Sequence, residues 1–137
     1  EGLQSPDRPV RFTVQGEGGR LPSTVATPLS VVLTELLQNA VDHGFPEGSA
    51  GGDVVVVLDN TDGVLKIRVI NDGRSLEPGF ELNKATGLGL SIVRTLVTTE
   101  LDGTITMRSG QTDDFAAAGL GDLPRGTGTV VDLTVPV

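Results

Sequence analysis

Two rhythms of apolar and polar residues divide this 137-residue chain into strands and helices. Val10–Val14 (VRFTV) alternates with period two, which predicts a strand with one buried face. From about Thr27 to His43 the period changes. Leu29, Val32, Leu33, Leu36, Leu37, Ala40 and Val41 recur at helical spacing. Thr27 reads as the cap of this helix and Pro28 as its first residue, where a missing N–H costs nothing. Asp53–Asp59 (DVVVVLD) is a continuous apolar run, the mark of a strand buried on both faces. Asn60–Gly63 holds the Asp-Gly hairpin signal. Val64–Ile70 (VLKIRVI) then pairs back antiparallel, with Lys66 and Arg68 pointing away from the core. A second helical stripe, Leu90, Val93, Val97 and Leu101, with Ile92 and Leu96 beside it, predicts a helix from Leu88 to about Leu101. Gly103–Arg108 and Thr127–Val135 read as the last two strands.

The connections differ in weight. Gly16–Gly19 with Arg20–Ser23, and Gly44–Gly52, are turn-rich links. Residues 71–90 (NDGRSLEPGFELNKATGLGL) are polar, punctuated by glycine and too long for a plain turn, so a functional loop or lid is expected there. Residues 109–126 form a second long loop with no readable chemistry, expected to be a mobile surface excursion. The order strand, helix, two strands, lid, helix, two strands predicts an α/β fold. It is a two-layer α/β sandwich, with a mixed, mostly antiparallel sheet covered on one face by helices. Residues 1–8 read as a linker or tail and 9–137 as one domain, a length that can bury a real core. The opening Glu1 gives the look of a piece cut from a longer protein.

Composition narrows the chemistry. There is no cysteine, so neither a disulfide framework nor a thiolate metal site is possible, and one histidine rules out a multi-histidine site. A net charge of −8 argues against nucleic acid or an anionic membrane as partner, because phosphate surfaces need a basic face. No apolar run reaches the ~20 residues that span a bilayer. Four Phe and no Trp or Tyr make aromatic stacking an unexpected device.

Three elements carry candidate chemistry. Glu35 and Asn39, four apart, share one helix face just before Gly44. A carboxamide oxygen next to a carboxylate that can orient a metal-bound water suits Mg²⁺, which is often held by one or two protein groups plus substrate phosphates. On its own the pair is better read as a solvated helix face. Asp72-Gly73 follows a buried strand: the carboxylate can accept from an exocyclic amine such as adenine's, and the glycine leaves room for a flat base. The dipeptide alone is more often an ordinary turn. Gly87-Leu88-Gly89-Leu90 precedes a helix, where backbone N–H groups and the positive helix end favour phosphate. A lone GxG is as common in plain turns. No GxxxxGK[ST] run is present, so this is not a P-loop.

Taken together these boxes resemble the ATP-binding (GHKL, or Bergerat-type) domain of sensor histidine kinases. TELLQNA matches the asparagine box of that family, INDGRSL its first glycine box, usually written D-x-G-x-G, and ATGLGLSIV its second. Gly126-Thr127-Gly128-Thr129 matches the closing Gly-Thr element. Any one box is weak; four in order, from about Val10 to Val137, are specific. NAVDHGFP, the short lid and GLSIVRTLV look most like the PdtaS-like subclass of actinobacterial sensor kinases.

The resemblance implies the Bergerat fold and a set of roles. Asn39 would coordinate Mg²⁺, and Glu35 would sit by the metal and γ-phosphate and assist transfer. Asp72 would bind the adenine amine, with Gly73 beside the base and Thr129 joining through a water. Gly87 and Gly89, with the Leu88 and Leu90 N–H groups, would hold phosphates, and residues 75–86 would form the lid. Lys84, the lysine of that lid, could cover the γ-phosphate. His43 has two readings, a phosphate contact or a helix-end residue favourable to the dipole. Three features depart from the pattern: Ser75, preceded by Arg74, replaces the second glycine of the first box; Asp42 stands where a basic residue is frequent; no phenylalanine box is visible.

The activity implied is transfer of the γ-phosphate of Mg–ATP to a histidine on an upstream dimerisation domain, for relay to a response regulator. The implied setting is cytoplasmic, without nucleic-acid or membrane contact, as a monomeric fragment of a homodimeric protein. His43 lies on the nucleotide-binding helix and is not a plausible acceptor. Two rivals are an anti-sigma-factor serine kinase, which a native start at Met would favour, and a non-catalytic nucleotide-binding regulatory module, which weak ATP affinity would favour. A hydrolase of the gyrase or MutL type would carry longer insertions.

Overall fold

β-Branched runs with period-two alternation build the sheet, and two amphipathic helices close one of its faces. The computed structural model describes residues 10–44, 52–71, 88–109 and 128–137. Five strands are ordered β1-β2-β3-β5-β4: β1 Val10–Glu17, β2 Gly52–Thr61, β3 Val64–Asn71, β4 Thr104–Ser109 and β5 Thr129–Pro136. β1 and β2 run parallel; the other pairs are antiparallel. The helices are α1 (Ser23–Gly44) and α2 (Leu88–Thr95), which continues into a π-turn over Leu96–Glu100. Residues 1–9, 45–51, 72–87, which include the expected lid 75–86, and 110–127 lie outside the described residues.

The expected two-layer sandwich is the observed one. Leu65, Ile67 and Val69 of β3 face the helices, with Val54 and Val56 of β2 and Val131, Leu133 and Val135 of β5. Leu29, Val32, Leu36, Ala40 and Val41 of α1, and Val93, Val97 and Leu101 around α2, pack against them. Burying one such Leu stabilises by roughly 1.5–3 kcal/mol. Alternate residues Val55, Ile70 and Val130 form a second buried cluster. The centre of β2 is therefore buried on both faces, as its unbroken apolar run requires. Toward the far end of the sheet the outward positions turn polar. Lys66 is exposed, and Arg68 reaches across to Asp132, its direct partner in register (Nε to Oδ1 2.7 Å).

Local expectations needed correcting in several places. Thr27 is not the cap and Pro28 is not the first helical residue: α1 starts at Ser23, where the Pro22 carbonyl accepts from the Val25 and Ala26 N–H groups. Pro28 sits inside the helix and denies the Thr24 carbonyl its donor. Thr24 is exposed, so water can replace that bond. The hairpin turn is shorter than expected, Asp62-Gly63 alone, with Thr61 opposite Val64 and φ of 56° and 76°. Both values are left-handed, as a two-residue turn of the primed type demands. Val14 is 65% exposed, at the edge of the sheet, where Phe12 is the residue of β1 that packs on the core among its described side chains. Ile92 is exposed as well. The second helix does not stay α-helical to Leu101. The Leu101 N–H reaches back five residues to the Leu96 carbonyl, and the Gly103 N–H bonds the Val97 carbonyl.

Candidate functional site

Chain direction alone decides what meets at one end of the sheet. β1 and β2 are parallel, with Val10 opposite Gly52, so α1 must return along the sheet and end where both strands begin. Val54 is opposite Asn71 and Asn71 opposite Thr129, so β3 ends and β5 begins at that same end. β4 starts at the far end, with Thr104 opposite Thr134. α2 and its π-turn feed β4, so they run away from the Asn71–Thr129 end and point the N-terminus of α2 toward it. Thirteen residues at 1.5 Å each cover ~20 Å, the length of a six-residue strand.

α1 brings Glu35 and Asn39 to this end, half-buried and one turn apart. The Asn39 Nδ2 is fully buried and has no hydrogen-bond partner among the described residues. Such an orphan costs about 1–3 kcal/mol and is uncommon unless something else uses the group. Among the described residues no three His, Asp or Glu side chains come together to hold a metal ion. One carboxamide with a neighbouring carboxylate does fit a hard cation that keeps most of its shell as water and phosphate oxygens.

The strand ends supply the second part. Asn71 (5% exposed) and Thr129 (6%) are the buried polar side chains among the described residues, and they face each other across β3 and β5. Gly128, with φ of 78°, lets the chain turn directly into Thr129. α2 supplies the third part: its first N–H groups have no intrahelical acceptor, and no acidic side chain in its first turn competes for an anion.

The fold therefore gathers Glu35, Asn39, Thr129 and the Leu88–Leu90 end of α2 around one end of the sheet. His43 lies on the last turn of α1, and Leu88 and Gly89 open α2; their side-chain surroundings are outside the description, whereas Leu90 is half-buried. Asp72, Gly73, Arg74, Ser75, Lys84 and Gly87 lie outside the described residues. Asn71 was passed over in the sequence, although two signals marked it. It continues the inward series Leu65, Ile67, Val69. It also stands two residues before Gly73 and four before Ser75, the position that D-x-G-x-G gives to its first residue.

This fold and this convergence define a class. The model of the histidine kinase-, DNA gyrase B- and HSP90-like ATPase family matches residues 24–137, and the chain belongs to that family of ATP-binding domains. The sensor histidine kinase PdtaS of Mycobacterium tuberculosis (strain CDC 1551 / Oshkosh) is 42% identical over 135 residues, 98% of this chain and 24% of that protein. PdtaS of Mycolicibacterium smegmatis is 41% identical over the same share. The histidine kinase domain of the Erythrobacter litoralis EL346 blue-light activated histidine kinase superposes with a TM-score of 0.73 at 26% identity, covering 93% of this chain and 51% of that one. The chain thus spans about a quarter of the length of the PdtaS proteins it matches. No helix among the described residues is long and apolar enough to cross a membrane.

Proposed function

We propose that residues 9–137, behind a short tail, are the ATP-binding catalytic domain of a two-component sensor histidine kinase. The domain delivers the γ-phosphate of Mg–ATP to a histidine on a dimerisation domain outside this chain. The phosphate then passes to a response regulator, in the cytoplasm, within a homodimer. The observation that carries the reading is the convergence of the Asn39 end of α1, the Asn71–Thr129 strand ends and the N-terminus of α2 at one end of the sheet. Identity of 42% over 98% of the chain to a sensor histidine kinase favours this member of the family over serine kinases and hydrolases.

In this reading phosphoryl transfer is chiefly a matter of position and charge. Asn39 would hold Mg²⁺ through its carboxamide oxygen, and such an ion would supply positive charge beside the phosphates. Glu35 lies beside the γ-phosphate and assists its transfer. The N–H groups of Gly87, Leu88, Gly89 and Leu90 hold the phosphate chain, with Lys84 and His43 as further contacts. Thr129 and the end of β3, where Asp72 and Gly73 follow, take the adenine.

The test mixes this domain with γ-labelled ATP, Mg²⁺ and the dimerisation domain of the intact protein. The expected result is no label on the domain alone and acid-labile, phosphohistidine-type label on the added domain. Acid-stable label on a serine-bearing partner would sink the histidine kinase reading in favour of a serine kinase.

A further inference from the structure

We propose that the outward face of α1 and α2 is a contact surface for a second copy of this domain, weak in dilute solution and populated where two copies are held together. Its population in the intact protein rests on the homodimer reading; the contact itself does not.

The face is marked by its lack of charge. Six residues are exposed between Ser23 and Val41 of α1, and all are Ser, Thr or Val. Five are exposed between Leu90 and Thr99, and all are Ser, Thr or Ile. Glu35 and Arg94, the charged residues of these two stretches, are half-buried. Exposed carboxylates stand elsewhere: Glu17, Asp59, Asp62 and Asp102 lie by the end of the sheet opposite Asn71. The hydroxyls of the face are already engaged. Those of Ser30 and Thr34 donate to the Thr27 and Ser30 carbonyls, each at 2.8 Å. Those of Thr95, Thr98 and Thr99 donate to the Ser91, Arg94 and Thr95 carbonyls at 3.0, 2.9 and 2.6 Å. A hydroxyl satisfied within its own helix loses little when water is withdrawn. Val31 and Ile92, 43% and 39% exposed, are the large apolar side chains that the face leaves in water.

Charge selects the occupant. Each copy carries −8, so two copies repel wherever their charged surfaces oppose. An uncharged face is where they can touch, and it gives a basic or an acidic partner nothing to pair with. The two helices pack side by side and run in opposite directions, α1 ending and α2 beginning at the nucleotide end. A twofold axis through such a face lays helices on helices, each copy contributing the same residues. Size sets the strength. A stable interface takes ~20–30 residues a side. Six on α1 and five on α2 fall well short of that. The isolated chain is therefore a monomer when dilute. Two domains tethered in one homodimer meet at an effective concentration in the ~millimolar range, where the contact forms.

Sedimentation equilibrium of the native chain from ~10 μM to ~2 mM spans that range. The expected result is monomer at the dilute end and a dimer half-formed between ~0.1 and ~1 mM. Added salt strengthens the dimer, because it screens the repulsion between copies; a contact made by opposite charges would weaken. Ser30→Glu and Thr95→Glu place a carboxylate on the face, and each is expected to weaken the dimer by about tenfold or more. Thermal melting and Mg–ATP affinity by calorimetry stay unchanged in both. Mixing Thr95→Glu with Thr95→Lys restores association between the unlike chains. A native chain still monomeric at the top of the range, or a dimer indifferent to both carboxylates, overturns the proposal. So does binding of this face to the separately made dimerisation domain without self-association. A native chain that pairs but binds no Mg–ATP sinks the ATP-binding reading and leaves the contact standing. If one carboxylate variant fails to fold, the other decides.

Discussion

Shortening Asn39 to alanine should separate chemistry from stability. The Nδ2 of Asn39 is buried without a hydrogen-bond partner among the described residues, so its loss removes a cost as much as a contact, and alanine favours the helix. Thermal melting is expected to show a change below about 1 kcal/mol. Calorimetry is expected to show Mg–ATP affinity falling at least tenfold, about 1.4 kcal/mol, with little Mg²⁺ dependence left. A loss of several kcal/mol in stability with unchanged ATP binding would make the side chain structural instead. Asp132 gives a contrast. Its pairing with Arg68 is two-pointed (2.7 and 3.3 Å), yet both side chains are about a third exposed, and solvent screens them. Asp132→Asn should cost under about 1 kcal/mol in urea unfolding.

At the scale of elements, the core is where substitution hurts. Leu36 of α1 is 2% exposed, and Leu36→Ala should cost about 2–5 kcal/mol by the same unfolding measurement. Gly63→Ala forces a Cβ into the left-handed φ of the β2–β3 turn and should cost about 1–2 kcal/mol without touching nucleotide binding. These elements were readable because period and burial agree. The stripe Leu29, Val32, Leu36, Ala40 reports one helix face, and DVVVVLD reports a strand covered on both sides. The start of α1 was not readable, since a proline near a helix start normally marks its first residue. Here Pro28 is tolerated further in, where Thr24, whose carbonyl loses its donor, is exposed and open to water. The π-turn at Leu96–Glu100 left no mark in the apolar stripe, since Val93, Val97 and Leu101 keep a four-residue spacing through it. Of the site, the boxes gave Glu35, Asn39 and Thr129, which the fold does bring to one end. Asn71 escaped because Asp72 beside it carries the more conspicuous charge, whereas the strand alternation puts Asn71 in the helix-facing series of Leu65, Ile67 and Val69.

Across the whole molecule, ten basic and eighteen acidic residues leave a net charge of −8, so a polyphosphate approaches against the mean field. Raising salt screens that repulsion. The association rate of Mg–ATP, followed by stopped flow, is expected to rise modestly with ionic strength; a steep fall would mean that a local basic field, such as one set up by Lys84 and His43, dominates. The layout also has a practical side. The Asp62-Gly63 turn and Val137, whose N–H bonds the Gly63 carbonyl, sit together at the end of β3 opposite Asn71. Eight strand residues separate them from the nucleotide end, ~25 Å. The chain has no cysteine of its own. A single cysteine introduced at Asp62 would therefore accept one dye, at one place, remote from the pocket yet on the strand that ends in it. The protein comes ready to be made into an optical reporter of its own occupancy.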